Sequence, residues 1–256
     1  MSGGFRGTPF DLSGRVAVVT GGSTGLGFGM AAGLAEAGAD IVLVDRQERT
    51  EARAALAALG RRVETVTADV TAVGAAAYIV ERALACFGYI DILVNNAGII
   101  RRSDALEFSE RDWDDVMQVN AKSVFFLSQA AARGMMERRY GRIINVASLL
   151  AFQGGIRVPS YAASKGAVAQ MTKALANEWA AHGITVNAVA PGYMATNNTQ
   201  ALREDAERER SIADRIPAGR WGTPEDLKGA AVFLASEASA YVNGHMLVVD
   251  GGWMAR

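Results

Sequence analysis

The sequence predicts an α/β fold, a doubly wound parallel sheet of about seven strands flanked by helices, in a single domain covering residues 1–256. Short β-branched runs alternate with longer Ala-rich stretches of helical character, which is the order found in doubly wound sheets. Most of the runs are continuously apolar, as expected for strands buried on both faces. No linker rich in Pro, Gly or Ser divides the chain, so one domain is expected.

The predicted strands lie, in chain order, at residues 16–20, 41–45, 63–69, 91–95, 142–148, 184–190 and 245–250. One segment interrupts this rhythm, between the sixth strand and a helix starting near Pro224. Its centre is densely charged, and Glu204 and Arg208 stand four residues apart, which supports a solvated helix. A plain surface helix fits this pattern. Long excursions in compact domains also tend to be functional, so we expect a substrate lid near residues 192–222.

Composition excludes several classes of protein. Hydrophobic residues make up 50% of the chain and the net charge is −1, so neither nucleic acid nor an acidic membrane surface is expected as a partner. The single cysteine, Cys86, excludes an internal disulfide framework and fits a reducing compartment. The N-terminus lacks the apolar core of a signal peptide, and no run is long enough to span a bilayer. We therefore expect a cytoplasmic protein. His182 and His245 stand apart, without a cluster of Cys or acidic partners, so no metal is expected.

A glycine loop joins the first strand to the first helix. Gly21, Gly25 and Gly27 form T-G-x-x-x-G-x-G, and glycines permit a tight turn and close backbone approach to a pyrophosphate. The following helix offers its N-terminal amides to such an anion, and the hydroxyl groups of Ser23 and Thr24 add donors. An ordinary strand–helix turn is the alternative, but the position after the first strand favours dinucleotide binding.

The second strand ends at Asp45. A carboxylate there can accept hydrogen bonds from an adenosine ribose diol and would repel a 2′-phosphate, which favours NAD over NADP as the cofactor. Arg46 follows directly and can pair with a phosphate, which opposes that preference. A strand-end Asp that caps the next helix is the structural alternative.

Tyr161 and Lys165 lie one helical turn apart among small residues, in the segment YAASK. Proton transfer to or from a substrate oxygen suits a phenol, but its ordinary pKa of about 10 is high for work at neutral pH. An ammonium on the same helix face is expected to lower the pKa of the phenol. Ser148, at the end of the fifth predicted strand, can hydrogen-bond the substrate oxygen. Tyr161 is therefore the expected acid/base.

Together with Asn95-Asn96-Ala97-Gly98 and Pro191-Gly192, these motifs resemble the short-chain dehydrogenase/reductase family over essentially the whole chain. The resemblance implies a Rossmann-like fold and NAD(P)-linked oxidoreduction. It implies that Lys165 also holds the nicotinamide ribose, and that Asn120 joins Ser148, Tyr161 and Lys165 as a catalytic residue in a proton relay. Residue chemistry and resemblance together give the expected cofactor contacts: Gly21, Ser23, Thr24, Gly25, Leu26, Gly27, Asp45, Asp69, Val70, Asn96, Tyr161, Lys165, Pro191, Gly192, Met194 and Thr196.

Longer flanking stretches, such as AFQGGIRVPSYAASK and the closing VDGGWMAR, resemble the 2-dehydro-3-deoxy-D-gluconate 5-dehydrogenases, also called 2-deoxy-D-gluconate 3-dehydrogenases. This resemblance implies interconversion of 2,5-diketo-3-deoxygluconate and 2-keto-3-deoxygluconate with NAD(H), in the breakdown of pectin. It also implies a homotetramer. Two other functions stay open: a general NAD(P)H ketoreductase for 3-oxoacyl thioesters, gluconate or steroid-like substrates, and a non-catalytic dinucleotide-binding protein.

Arginines at the carboxyl ends of predicted strands fit an anionic sugar acid, because a guanidinium can hold a carboxylate with two hydrogen bonds. Arg157 is the first candidate, Arg101 the second and Arg102 the third, with solvation or a subunit contact as the alternative for each. The expected substrate contacts are Ser148, Gln153, Arg157, Tyr161, Arg101 and Asn198, with Asn197 as a further hydroxyl partner. The closing Trp253 and Arg256 can instead reach the site of a neighbouring subunit.

Overall fold

The computed structural model describes residues 7–256, apart from the side chain of Asn198. In this range seven strands form one sheet in the order β3-β2-β1-β4-β5-β6-β7, and every neighbouring pair is parallel. The strands are β1 Val16–Thr20, β2 Asp40–Asp45, β3 Val63–Thr67, β4 Ile92–Asn95, β5 Gly141–Val146, β6 Ile184–Pro191 and β7 Met246–Val249. The predicted single-domain, doubly wound sheet is confirmed.

The helices cover both faces of this sheet. They are α1 Gly25–Glu36, α2 Thr50–Ala57, α3 Ala75–Phe87, α4 Glu110–Met117, α5 Ser123–Arg138, α6 Pro159–Trp179, α7 Gln200–Glu204, α8 Ala206–Ala213 and α9 Lys228–Ala235. One core cluster joins α1 and α9 to Ala17 and Val19 of β1, and a second joins α3, α5 and α6 to Val16 and Val18. Because successive residues of β1 enter opposite cores, the strand is apolar throughout.

Two predicted strands extend two residues beyond the observed C-terminal ends, for a local reason. β3 ends at Thr67 because Asp69 turns the chain, accepting hydrogen bonds from the backbone and the hydroxyl of Thr71 at 2.9 and 2.7 Å. β5 ends at Val146, and Ser148 instead caps a short 3₁₀ helix by accepting a hydrogen bond from the Leu150 amide at 3.2 Å. Turn-forming side chains therefore end the strands before the apolar pattern does.

The charged segment forms two helices rather than one. α7 ends at Glu204, and Asp205 caps α8 by accepting a hydrogen bond from the Arg208 amide at 3.0 Å. The predicted pairing of Glu204 with Arg208 along one helix is therefore wrong, and Glu204 accepts a hydrogen bond from Gln200 instead. Within residues 7–256, no helix combines the length and apolar character that a bilayer crossing requires.

Candidate active site

A cleft of about 820 Å³ lies at the carboxyl edge of the sheet, beside the point where the strand order reverses between β1 and β4. Ligands of doubly wound folds bind at this position. Most of the predicted cofactor contacts line the cleft, and Asn197 lines it with them. These contacts are Gly21, Thr24, Gly25, Leu26, Asp45, Asp69, Val70, Asn96, Tyr161, Lys165 and Thr196.

The glycine loop is shaped by close packing. Gly21 and Gly25 have φ values of 60° and 52°, in the left-handed region that favours glycine. A Cβ atom on Gly27 would overlap the carbonyl oxygen of Gly21 and the side-chain amide of Asn96. Asn96 in turn donates hydrogen bonds to the carbonyls of Thr20 and Gly21 at 2.9 and 3.0 Å. The loop therefore holds the N-terminus of α1 at the cleft.

Five predicted cofactor residues do not line the cleft: Ser23, Gly27, Pro191, Gly192 and Met194. The Ser23 amide donates to the Asp45 carboxylate at 2.8 Å, which fixes the end of β2 against the glycine loop. Gly192 donates to the Val249 carbonyl at 2.9 Å, and the buried Met194 forms a bridge with Gly222. These residues support the wall of the cleft from outside its lining.

Ser148, Tyr161 and Lys165 meet where β5 ends beside α6. The helix begins with Pro159, a residue suited to the first helical position, and this start places Tyr161 and Lys165 in successive turns. Lys165 is 4% exposed, and its Nζ atom donates to the Val146 carbonyl at 2.6 Å. The same Nζ lies 5.5 Å from the centre of the Tyr161 ring. Hydrogen bonding between Ser148 and Tyr161 completes the predicted trio, of which Tyr161 and Lys165 line the cleft.

The pKa of the phenol differs from the sequence-based expectation. Burial raises the pKa of Tyr161 above its ordinary value, and hydrogen bonding with Ser148 and the charge of Arg102 oppose that increase without reversing it. Burial also lowers the pKa of Lys165 to about 8. The expected decrease of the phenol's pKa is therefore absent from the polypeptide itself, because desolvation outweighs the nearby charge.

Asn120 is fully buried in a π-helical turn, Gln118–Lys122, that joins α4 to α5. Its side chain accepts from the Ile99 amide at 2.9 Å and donates to the Ile99 carbonyl at 2.9 Å and to Ser164 Oγ at 3.1 Å. Ser164 donates in turn to the Tyr161 carbonyl at 2.7 Å. Such turns often occur at functional sites, and this one ties the loop after β4 to the helix that carries Tyr161.

The three arginines have different surroundings. Arg101 pairs with Asp112 and Asp115 of α4 at 3.2 and 3.6 Å, so two carboxylates engage its guanidinium. Arg157 pairs with Asp104 at 3.0 Å and adopts a left-handed backbone, with φ of 64°. Arg102 is the arginine whose charge acts on the Tyr161 hydroxyl.

Gln153, another predicted substrate residue, lies outside the lining of the cleft. Gln153 is half-buried in the turn that follows the 3₁₀ helix after Ser148, and its backbone N–H donates to the Leu149 carbonyl at 3.1 Å. The side chain of Asn198 lies outside the described residues. Among the described residues, no group of three or more His, Cys, Asp and Glu side chains is arranged to hold a metal ion.

Sequence reasoning missed several residues around the site. Ser164, three residues after Tyr161, and Asp104, the partner of Arg157, were not singled out. Trp253 is buried within the chain, 4.6 Å from the ring of Tyr193, rather than extended into solvent. Arg256 donates to the Asp214 carbonyl of the same chain at 3.2 Å. Helical spacing could have revealed Ser164, but the other contacts join distant segments and have no local signal.

Comparison with known proteins agrees with this geometry. A family model described as enoyl-(acyl carrier protein) reductase matches residues 21–254. A 2-dehydro-3-deoxy-D-gluconate 5-dehydrogenase from Dickeya dadantii is 62% identical over 248 residues, covering 96% of this chain and 98% of that protein. A protein of the same name from Bacillus subtilis is 52% identical over 256 residues, covering 99% and 100%.

The chain also resembles a solved structure in fold. The gluconate 5-dehydrogenase from Burkholderia cenocepacia, in complex with NADP and tartrate, superposes with a TM-score of 0.92 at 42% identity, covering 97% of this chain and 98% of that one. The cleft, the Ser148–Tyr161–Lys165 trio and these similarities lead to one conclusion. The chain belongs to the short-chain dehydrogenase/reductase family and is an oxidoreductase.

Proposed function

We propose that the protein transfers a hydride between NAD(H) and a keto-deoxy sugar acid, interconverting 2,5-diketo-3-deoxygluconate and 2-keto-3-deoxygluconate. The observation that carries the proposal is the meeting of Ser148 with Tyr161 and Lys165, two residues that line the cleft. Relatives named 2-dehydro-3-deoxy-D-gluconate 5-dehydrogenase, at 52–62% identity, support the choice of substrate.

The residues of the cleft fit a nicotinamide dinucleotide. Gly25 and Leu26, in the first turn of α1, line the cleft, so the N-terminus of this helix faces the space available to the cofactor. The amides at that helix end suit a pyrophosphate, and Asp45 and Asp69 lie at the ends of the neighbouring strands. When bound, the dinucleotide would supply or accept the hydride at its nicotinamide ring.

Tyr161 acts as the proton donor in carbonyl reduction and as the acceptor in the reverse direction. Because burial raises the pKa of Tyr161, the phenol stays protonated at neutral pH, which is the form that reduction requires. Ser148 orients the substrate oxygen against the phenol. Lys165, with a pKa of about 8, remains largely protonated at pH 7 and keeps a positive charge beside the reacting groups. Asn120, through Ile99 and Ser164, positions the walls around them.

NAD is the proposed cofactor because of Asp45. The Ser23 amide, 2.8 Å from one oxygen, holds the carboxylate at the end of β2. A fixed negative charge there favours a ribose diol over a 2′-phosphate. Arg46 and Arg49 line the same part of the cleft and offer positive charge, and the Burkholderia relative was solved with NADP. We therefore expect the enzyme to prefer NAD but still to accept NADP.

Arg157 is the proposed partner of the substrate carboxylate, with Arg102 as the nearer charge to the phenol. The amide of Ser103 donates to the Arg157 carbonyl at 3.1 Å, which joins the two loops that carry these arginines. Asp104, paired with Arg157 at 3.0 Å, is exposed, so a substrate carboxylate can replace it at little cost. The tartrate of the Burkholderia relative, a hydroxy acid, supports an anionic substrate.

The assembly, cellular location and substrate lid of the enzyme are also part of the proposal. We propose a cytoplasmic homotetramer that acts in carbohydrate catabolism, on products of pectin degradation, with residues 192–222 as a substrate lid. The tetramer is supported by large apolar side chains that are 40–45% exposed on neighbouring helices, Trp113 of α4 and Phe126 of α5. Light scattering during size-exclusion chromatography tests the assembly, and a monomeric mass would contradict it.

A screen of NADH consumption tests the proposed function. The panel contains keto-deoxy sugar acids, keto-gluconates, 3-oxoacyl thioesters and uncharged ketones, each measured with NADH and NADPH. We expect the highest kcat/KM for a keto-deoxy sugar acid with NADH. A higher value for an acyl thioester or an uncharged ketone would reject the sugar-acid assignment, and a preference for NADPH would reject the cofactor assignment.

A further inference from the structure

The two helices of the proposed lid, residues 192–222, have few buried side chains. No side chain of α7 is fully buried, and among the side chains of α8 only Ile212 is, within the part of the chain that the structure describes. Helices of five and eight residues are marginal without tertiary packing. The position of the lid therefore depends on the surface against which it packs.

Trp253, in the short tail after β7, contacts the lid at two distant points. The ring of Trp253 lies 4.6 Å from the ring of Tyr193, near the start of the lid. The guanidinium of Arg215, which follows α8 in the chain, lies 4.0 Å from the centre of the Trp253 ring. The indole is 5% exposed. A cation over an aromatic face and a close aromatic pair are both attractive, so this one side chain holds both parts of the lid.

The backbone of the tail fits the lid closely. The Ala218 amide donates to the Gly251 carbonyl at 2.9 Å, and the Asp250 carboxylate accepts from the amides of Gly252 and Met254 at 2.8 Å each. Gly251 has a φ of 65°, and a Cβ atom there would lie 2.9 Å from the side chain of Ile216. The direction in which Trp253 enters the lid is therefore fixed by the backbone.

The packing around Trp253 extends to the proposed catalytic residues. Leu149, the neighbour of Ser148 in the chain, is buried in one apolar cluster with Ile212, Ile216 and Trp253. We infer that Trp253 is a positioning residue, whose indole seats the lid on the substrate side of the active site and so sets the affinity for the carbonyl substrate. This inference rests on the proposed function only for the identity of the substrate.

The test compares Trp253→Ala with Trp253→Phe and with Met254→Ala, a control from the same turn whose side chain is outside the cluster. The Trp253 Nε1 atom has no hydrogen-bond partner among the described residues, so phenylalanine keeps the packing without breaking a bond. We expect Trp253→Ala to raise the KM of the carbonyl substrate by about ten-fold or more, with NADH affinity within about two-fold. Trp253→Phe and Met254→Ala should stay within about three-fold of the wild-type KM.

Limited proteolysis with endoproteinase Glu-C gives a second readout that needs no substrate. Glu204 and Glu207 lie in the lid and are present in every variant. Cleavage there should be faster in Trp253→Ala and unchanged in the other two. Unchanged KM and cleavage in Trp253→Ala, or a KM in Trp253→Phe as high as in Trp253→Ala, would overturn the inference.

A surface variant covers the case in which Trp253→Ala does not fold. Arg215→Met removes the cation from the indole face but not the apolar stem, and it should raise both KM and cleavage rate by a few-fold. Unchanged values in that variant would also overturn the inference. If the wild-type enzyme reduces no sugar acid, the proposed function fails, whereas proteolysis and KM for whichever carbonyl it does reduce still decide the role of Trp253.

Discussion

Arg157 combines an unfavourable backbone conformation with a proposed role in substrate binding. Its φ of 64° lies in the left-handed region, which costs a residue with a Cβ atom about 1–2 kcal/mol. Strain of this kind is often retained at functional sites. Its side chain meets the carboxylate of Asp104 at 3.0 Å, the same chemical group that a sugar acid would present. The strain is thus explained if a guanidinium is required at this position.

Replacing Arg157 with glycine should therefore move stability and substrate affinity in opposite directions. We expect Arg157→Gly to raise the free energy of unfolding by about 1 kcal/mol, because the backbone strain is relieved. We expect the KM of the sugar acid to rise about ten-fold or more, because its carboxylate loses a partner. Chemical denaturation and steady-state kinetics measure the two effects.

Arg139 provides the matched control. It also has a left-handed backbone, with φ of 51°, but it caps the C-terminus of α5, away from the residues that line the cleft. Arg139→Gly should relieve strain in the same way and leave KM unchanged. If Arg157→Gly lowers stability, or if its KM for the sugar acid equals that of the wild type, the proposed role of Arg157 is wrong.

At the scale of single residues, the sequence predicted what helical spacing and strand ends determine. Tyr161 and Lys165 are one turn apart in any helix, and Ser148 follows an apolar run, so their meeting was predictable. The pairing of Arg101 with α4 and the burial that raises the pKa of Tyr161 depend on the packing of distant segments. Those properties had no signal in the local pattern.

At the scale of elements, the turn from β1 into α1 is tightly packed around Gly27. We expect Gly27→Ala to lower the free energy of unfolding and to abolish measurable NADH binding, because its Cβ would overlap the Gly21 carbonyl and the Asn96 amide. Gly229→Ala, in α9, is the control, because a Cβ there has no neighbour within 4 Å. Titration of NADH fluorescence checks both variants, and normal binding by Gly27→Ala would contradict the structure of the loop.

Element boundaries show where pattern reading reaches its limit. All seven strands were predicted, since apolar β-branched runs are a local property, but two were extended into turns closed by Asp69 and Ser148. The charged segment was treated as one helix, although Asp205 caps a second. The π-helical turn around Asn120 had no sequence signal, because it arises from tertiary hydrogen bonds to Ile99 and Ser164.

For the whole molecule, the buried Lys165 couples stability to pH. Its pKa is about 8 in the folded protein and 10.5 in its ordinary state. Between these values the unfolded chain binds a proton that the folded protein lacks, so Lys165 makes stability increase as the pH rises from about 8 toward 10.5. The raised pKa of Tyr161 acts in the opposite direction above pH 10, where only the unfolded chain loses that proton.

Denaturation of the wild type and of Lys165→Met at pH 8, 9 and 10 tests this coupling. The increase in stability between pH 8 and 10 should be smaller or absent in the variant, because methionine carries no proton. Activity of the wild type should decrease over the same range as the ammonium loses its charge. Identical pH profiles of stability for the two proteins would show that Lys165 does not titrate as described.

The central claim is that the Tyr161 hydroxyl exchanges the proton of the reacting carbonyl group. Tyr161→Phe removes that oxygen and little else. Steady-state kinetics with the best keto acid of the panel, together with titration of NADH binding, therefore test the claim most directly. We predict that kcat falls by at least about 100-fold while the dissociation constant of NADH stays within about two-fold. Turnover close to that of the wild type would contradict the account.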